Sequence, residues 1–391
     1  MYNTDKQLQS LTSIERQNNH YLLQNKLISP QPYFICRPLS LMASELRQSL
    51  LYSSQQNHSE VAEIFNRTIM VMIHSQQFAM ARELCYTQID LYIRESSRIN
   101  KMDLLKFIFQ PWLHLIRIHG INDNYHEAIQ QLNVLNLTFP VSVFNGENKL
   151  LQEKIYQSLN QDDGLRKSII TQTMLERIRL YLRAHRYAEL LNYLEEEQKR
   201  FALTQEGFIQ EARAIAYANT ADIKKAMNLF AYKPALKLRE LEMRLSLQED
   251  HVKTRLQKLY EYYFSVFNPS IITCQHIIHM LHAALLMQKA SLYKQATDLT
   301  HDCLDAAIKI GDEVLQAECL VLLQEMATNE TQKQALHNNM RTLFQQSEYK
   351  IVQDKIKFYF NDLEKKPVAA FATETARLFE DLLAFDFHSA A

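Results

Sequence analysis

Glycine is nearly missing from this sequence: there are five in 391 residues, where an ordinary globular protein carries about 7%. Glycine supplies the backbone freedom that tight hairpins, phosphate-cradling loops and nucleophile elbows require. Its scarcity therefore argues against sheet-rich folds and for a chain made almost entirely of helix. The catalytic motifs are missing as well. There is no GxSxG, no Walker A, no HExxH and no glycine-rich dinucleotide loop, nor the paired ExxH ligands of a di-iron bundle. The expectation is a protein that is not an enzyme and carries no cofactor.

Cysteine is sparse and unpatterned. Cys36, Cys85, Cys274, Cys303 and Cys319 form no CxxC pair, which argues against a disulfide framework or a structural zinc site. They read as small buried hydrophobes in a reducing compartment. Neither sign of charge prevails, with 43 Lys and Arg against 44 Asp and Glu. A nucleic-acid surface shows as a basic excess, so neither nucleic acid nor an anionic membrane is an expected partner. No stretch reaches the ~18 uninterrupted apolar residues of a membrane span, and residues 1–23 lack the apolar run of a secretory signal. The expected location is the cytoplasm.

What the sequence does have is helical periodicity. Residues 1–38, rich in Gln, Asn and Ser and ending in Pro30, Pro32 and Pro38, read as a loosely ordered arm. From Leu39 the pattern is helical through residue 364. Ser59 is a candidate N-cap for a helix whose apolar face runs from Val61 to Ile73. A break at Ser75-Gln76-Gln77 leads into a second helix from Phe78, and such pairs recur. Thr171–His185 pairs with Tyr187–Lys199, Gly207–Asn219 with Ile223–Tyr232, and Thr273–Lys289 with Tyr293–Ile310. Pro111 falls inside the Met102–His119 pattern, where it must kink the helix or begin a second segment. The second helices open on an aromatic or aliphatic residue with Ala three positions on: Phe78/Ala81, Tyr125/Ala128, Ile223/Ala226 and Tyr293/Ala296, with Leu190 after Tyr187. After Lys365-Lys366-Pro367, residues 365–391 carry an amphipathic helix through Phe371, Leu378 and Leu382, expected to cap the array or to dock elsewhere.

On these residues the chain resembles a divergent tetratricopeptide-repeat (TPR) protein. Ala214, Tyr217, Ala226 and Phe230 fit the family's small-and-large packing pattern in one unit, and Ala284, Ala296 and Cys303 in another. The intervals from Tyr187 to Ile223 and from Ile223 to Tyr293 approximate one and two units of about 35 residues. The run from Tyr293 to Ala327 is similar to longer repeats in bacterial regulators of the maltose-activator type. The resemblance implies an all-α fold, a right-handed α-α superhelix (solenoid) of stacked helical hairpins that binds protein or peptide on a concave surface.

Three clusters are candidate sites. Arg179, Arg183 and Arg186 fall at i, i+4 and i+7, a basic stripe suited to an acidic segment or a carboxylate; pairing with Glu195–Glu197 is its bland alternative. Tyr260 and Tyr263, in the run YEYYFSVF, are either core spread around a helix or a partner-binding platform, with core the expected role. His276, His279 and His282 lie near Cys274, and the next helix offers His301, Asp302 and Cys303. Steps of three drift around a helix by about 60° each, so the three histidines do not converge on one ion, and no metal is expected. The sequence thus points to a non-enzymatic protein- or peptide-binding scaffold or adaptor. The alternatives are a peptide-sensing regulator without a DNA-binding domain, and a metal-dependent helical enzyme centred on His276 and His279.

Overall fold

A computed structural model describes residues 37–53, 57–95, 98–100, 103, 105–138, 163–201, 207–220, 222–231, 237–266, 273–360 and 373–385. Among them every regular element is a helix and none is a strand. No described helix is long and apolar enough to cross a membrane. The proposed N-terminal arm lies outside the described residues except for Arg37 and Pro38. The helices fall into two compact units, one formed by residues 37–180 with 347–391, the other by residues 181–346.

The discontinuous unit begins with α1 (Leu39–Ser53), α2 (His58–His74), α3 (Phe78–Glu95), α4 (Gln110–Ile121) and α5 (Tyr125–Thr138). The N-cap of α2 is Asn57, whose side chain accepts from the Glu60 amide, rather than Ser59. Asn is as good a cap as Ser, and the helix starts two residues sooner than its apolar face suggests. Pro111 sits in the first turn of α4, where a missing N–H costs nothing. A π-helical segment, Leu105–Phe109, precedes it. There the Lys106 carbonyl accepts from Asn66 Nδ2 at 2.9 Å and Gln88 Nε2 at 2.8 Å. Two side-chain amides, that of Gln88 buried, thus serve a carbonyl in the irregular turn. Around it Phe65, Phe107, Ile108, Phe109 and Ile116 form the centre of the core.

The same unit takes most of α6 (Asp163–Arg183) and, after residue 346, α16 (Lys350–Lys357) and α17 (Thr373–Leu383). The docking partner of α17 is α1, with a further contact to α3. Leu378 and Leu382 enter the core beside Leu46 and Leu50, and Asp381 accepts from Arg47 Nε at 2.6 Å. The fully buried Tyr349 brings its hydroxyl to Met42 Sδ, and Lys350 donates to Gln76. The segment expected as a cap over the preceding repeats therefore packs on helices some 300 residues earlier in the chain.

The continuous unit holds α7 (Tyr187–Phe201), α8 (Gly207–Asn219), α9 (Ile223–Ala231), α10 (Lys237–Ser246), α11 (Val252–Val266), α12 (Cys274–Lys289), α13 (Tyr293–Ile310), α14 (Glu313–Met326) and α15 (Glu330–Gln346). Successive helices pack on one another, most extensively α12 on α13 and α13 on α14. Ala226 and Ala296 are fully buried, as are Ala81 and Ala128 in the other unit. Each marks the first turn of a second helix, where a small side chain permits close approach.

One turn recurs in both units. The amide of the residue immediately before the new helix bonds back five residues, as in Gln77 to Met72, Asn124 to His119, Leu292 to Met287 and Asp312 to Ala307. This is the Schellman closure, which normally recruits glycine in the left-handed region. Among the described residues only Gly311 does so; Gln76, Asp123, His185, Gln248 and Ser291 adopt positive φ instead.

Candidate protein-binding surface

The inward stripe of α11 changes character along its length. Val252 and Leu256 are fully buried, whereas Tyr260 and Tyr263, continuing the same spacing, are only half-buried. Tyr262 and Phe264 leave that stripe and point outward, 58% and 67% exposed. The aromatic run was expected to be core; the helix period places two of its rings in water. Tyr260 and Phe264 stack with centroids 6.0 Å apart, and Tyr262 meets Tyr263 at 5.9 Å. Burial, with Tyr262 and Cys303 nearby, pushes the Tyr263 hydroxyl up to about 12. Burial and Asp298 raise that of Tyr260 as well. Both phenols therefore remain hydrogen-bond donors at neutral pH.

Beside these rings lies α13. Its inner face, Ala296, Leu299, Cys303 and Ala307, is fully buried, and its other side carries Asp298, His301, Asp302 and Asp305. The Tyr260 hydroxyl reaches Asp298 at 3.4 Å. Burial, then Asp305 and Asp298, raise the Asp302 carboxyl above its ordinary value. Among the described residues Asp302 and Asp305 have no ion-pair partner. Sequence reasoning grouped Asp302 with His301 and Cys303 as ligands. The helix turns Cys303 inward and His301 outward, so those three do not converge. The spacing of Asp298, Asp302 and Asp305, i, i+4 and i+7, was the available signal for one acidic face.

The arginine stripe is divided by the fold. Arg179 is held by Glu176 at 2.9 Å, and the same carboxylate takes Arg117 Nε at 2.9 Å. Glu176 is 3% exposed. Burial alone would raise its carboxyl, but the two guanidinium groups outweigh that and hold it below its ordinary value. Arg183 occupies the last turn of α6, half-buried. Arg186 lies beyond the helix end, past the left-handed His185, and pairs with Glu189 at 2.7 Å. The three arginines therefore do not form one helical face, and Glu176 and Glu189 hold Arg179 and Arg186. Arg117, nearly sixty residues from Glu176 in the chain, was not legible as its partner.

The histidines also separate. His276 completes a capping box with Thr273 at the start of α12. His282 is buried and lies 3.3 Å from Glu242, which Arg239 also grips at 2.8 Å. Burial would raise the Glu242 carboxyl, yet Arg239 and His282 drive it well below the usual range. Among the described residues no three His, Cys, Asp or Glu side chains are grouped to hold a metal. No protein-family model, curated protein or solved structure matches this chain.

Proposed function

We propose that this is a non-enzymatic, TPR-like protein that binds a protein or peptide in the cytoplasm, and that the aromatic end of α11 is where it binds. One observation carries the reading: Tyr262 and Phe264 stand open to solvent at the end of a helix that buries Val252 and Leu256 near its start. Tyr and Phe are enriched at interfaces because they bury much area for little conformational entropy, and exposed aromatic surface marks interaction sites. The recurrent hairpin turn, with buried Ala at the start of second helices, supports the repeat character. The acidic-partner reading of the arginines has less support, because Glu176 and Glu189 already occupy two of the three. The enzyme reading has less too, because His276 is engaged in capping.

The test places a benzophenone amino acid at position 264 of the full chain, with position 333 on α15 as control, and irradiates in native lysate. The expected result is a discrete, stoichiometric adduct from position 264 only, diminished by Tyr262→Ala. Equal labelling from both positions, or no adduct at 264, rejects the reading.

A further inference from the structure

The outward side of α13 gives the aromatic surface a sign. Asp298 touches Tyr260, and Asp302 lies close enough to raise the Tyr260 hydroxyl too. Between Asp298 and Asp305 the only outward group able to carry positive charge is His301. The helix's lysines, Lys294 and Lys309, stand one turn beyond either end of that stretch. Three carboxylates within two turns, two of them without an ionic partner among the described residues, repel one another. Partial burial keeps water from fully screening Asp302. A cation arriving there relieves the repulsion and meets ring faces at the same moment.

Resting on the binding surface proposed above, we infer that its partner is a basic segment, one whose arginines lie over Phe264 and Tyr260 and pair with Asp298 and Asp305. Arginine suits the site better than lysine. Its planar guanidinium stacks on aromatic rings while its fork engages a carboxylate, and it is more weakly hydrated than an ammonium. Asp298 and Asp305 are seven residues apart, about 10 Å along a helix, which an extended peptide crosses in about three residues. Two arginines separated by two residues therefore match the spacing.

Nona-arginine labelled with fluorescein, and nona-glutamate as its opposite, serve as probes with the full-length protein in anisotropy titrations. Wild type is compared with Asp298→Asn/Asp305→Asn, with Phe264→Ala, and with Glu195→Gln/Glu196→Gln as an equal charge change on another exposed face. Binding of nona-arginine is expected to weaken about five- to tenfold in the aspartate variant and about threefold in Phe264→Ala. The glutamate control should bind as wild type, and all variants should keep the wild-type melting temperature. Nona-glutamate should not bind. Equal weakening in the control and aspartate variants, or no binding of nona-arginine at low salt, overturns the inference. If the adduct from position 264 joins a partner segment lacking Arg and Lys, the basic-segment inference fails while the binding surface stands. If no adduct forms and nona-arginine does not bind, both fail.

Discussion

A buried carboxylate and a buried imidazole share Arg117, and that sharing makes the stability of the discontinuous unit depend on pH. Arg117 Nη1 lies 3.1 Å from His114 Nδ1. Guanidinium can only donate, so the ring accepts there and carries its proton on Nε2. Burial, then Arg117, drives the His114 pKa well below 6.5. A histidine held neutral in the folded state stabilises fully above its unfolded pKa and loses that contribution as pH falls below it. Stability is therefore expected to decline below pH 6.5 by up to about 1.4 kcal/mol per pH unit from this group. Urea titrations of His114→Gln between pH 7.5 and 5.0 should show the slope reduced. Glu176 adds a second, more acidic loss: its pKa lies below 4.5 in the folded protein, so its contribution is present above that value and disappears as pH falls through the folded one. Arg117→Ala leaves Glu176 with Arg179 alone and should destabilise by about 3–5 kcal/mol, read as an earlier urea midpoint. The turns offer the opposite sign. A left-handed L-residue costs about 1–2 kcal/mol, and glycine returns part of that as unfolded-state entropy. Gln248→Gly and Ser291→Gly, both exposed positions with positive φ, should each stabilise by about 0.5–1 kcal/mol in thermal or chemical melts.

At the scale of helices, the small residues that open second helices set how closely each pair approaches. Ala226 and Ala296 are fully buried, and Leu at either adds three heavy atoms with no space to receive them. Each substitution is expected to cost about 1–3 kcal/mol, seen as a lower melting temperature. An unchanged melt in both would show that the helices separate freely there. This feature was legible because local spacing encodes it: an aromatic or aliphatic start, Ala three residues on, and a polar turn before it. The boundaries of α8, α9, α12 and α13 follow the apolar period to within a residue or two for the same reason. The Pro111 helix start was equally local. Three features were not readable in this way. Glycine scarcity correctly signals helix, but it hides turns that put Gln, Asp, His and Ser where glycine usually stands. Hydrophobicity marked the Tyr260–Phe264 run as core, yet exposure depends on which neighbouring helix covers each ring. The arginine spacing described a continuous helix, and its end at Arg183 moved Arg186 into a turn. The acidic face of α13 is present in the sequence as a simple i, i+4, i+7 pattern, interleaved with His301 and Cys303.

Across the molecule, the helices after residue 346 belong structurally with those before residue 181. Shortening the chain after Gln346 should therefore damage the beginning rather than the nearest helices. Hydrogen exchange is expected to show α1 and α3 losing protection, because Leu378, Leu382 and Tyr349 leave their core, while α12–α14 keep theirs. Uniform loss everywhere would mean that the two units do not unfold separately. The same arrangement imposes an order on synthesis. Residues 37–180 leave the ribosome roughly 170 residues ahead of the segment that closes them. At about 5–20 residues per second, the nascent chain waits on the order of ten to thirty seconds with Leu46 and Leu50 facing water, while the intervening unit emerges and folds. In that window the growing polypeptide presents the kind of apolar surface that chaperones bind, and slow codons between residues 181 and 346 would lengthen its exposure to aggregation.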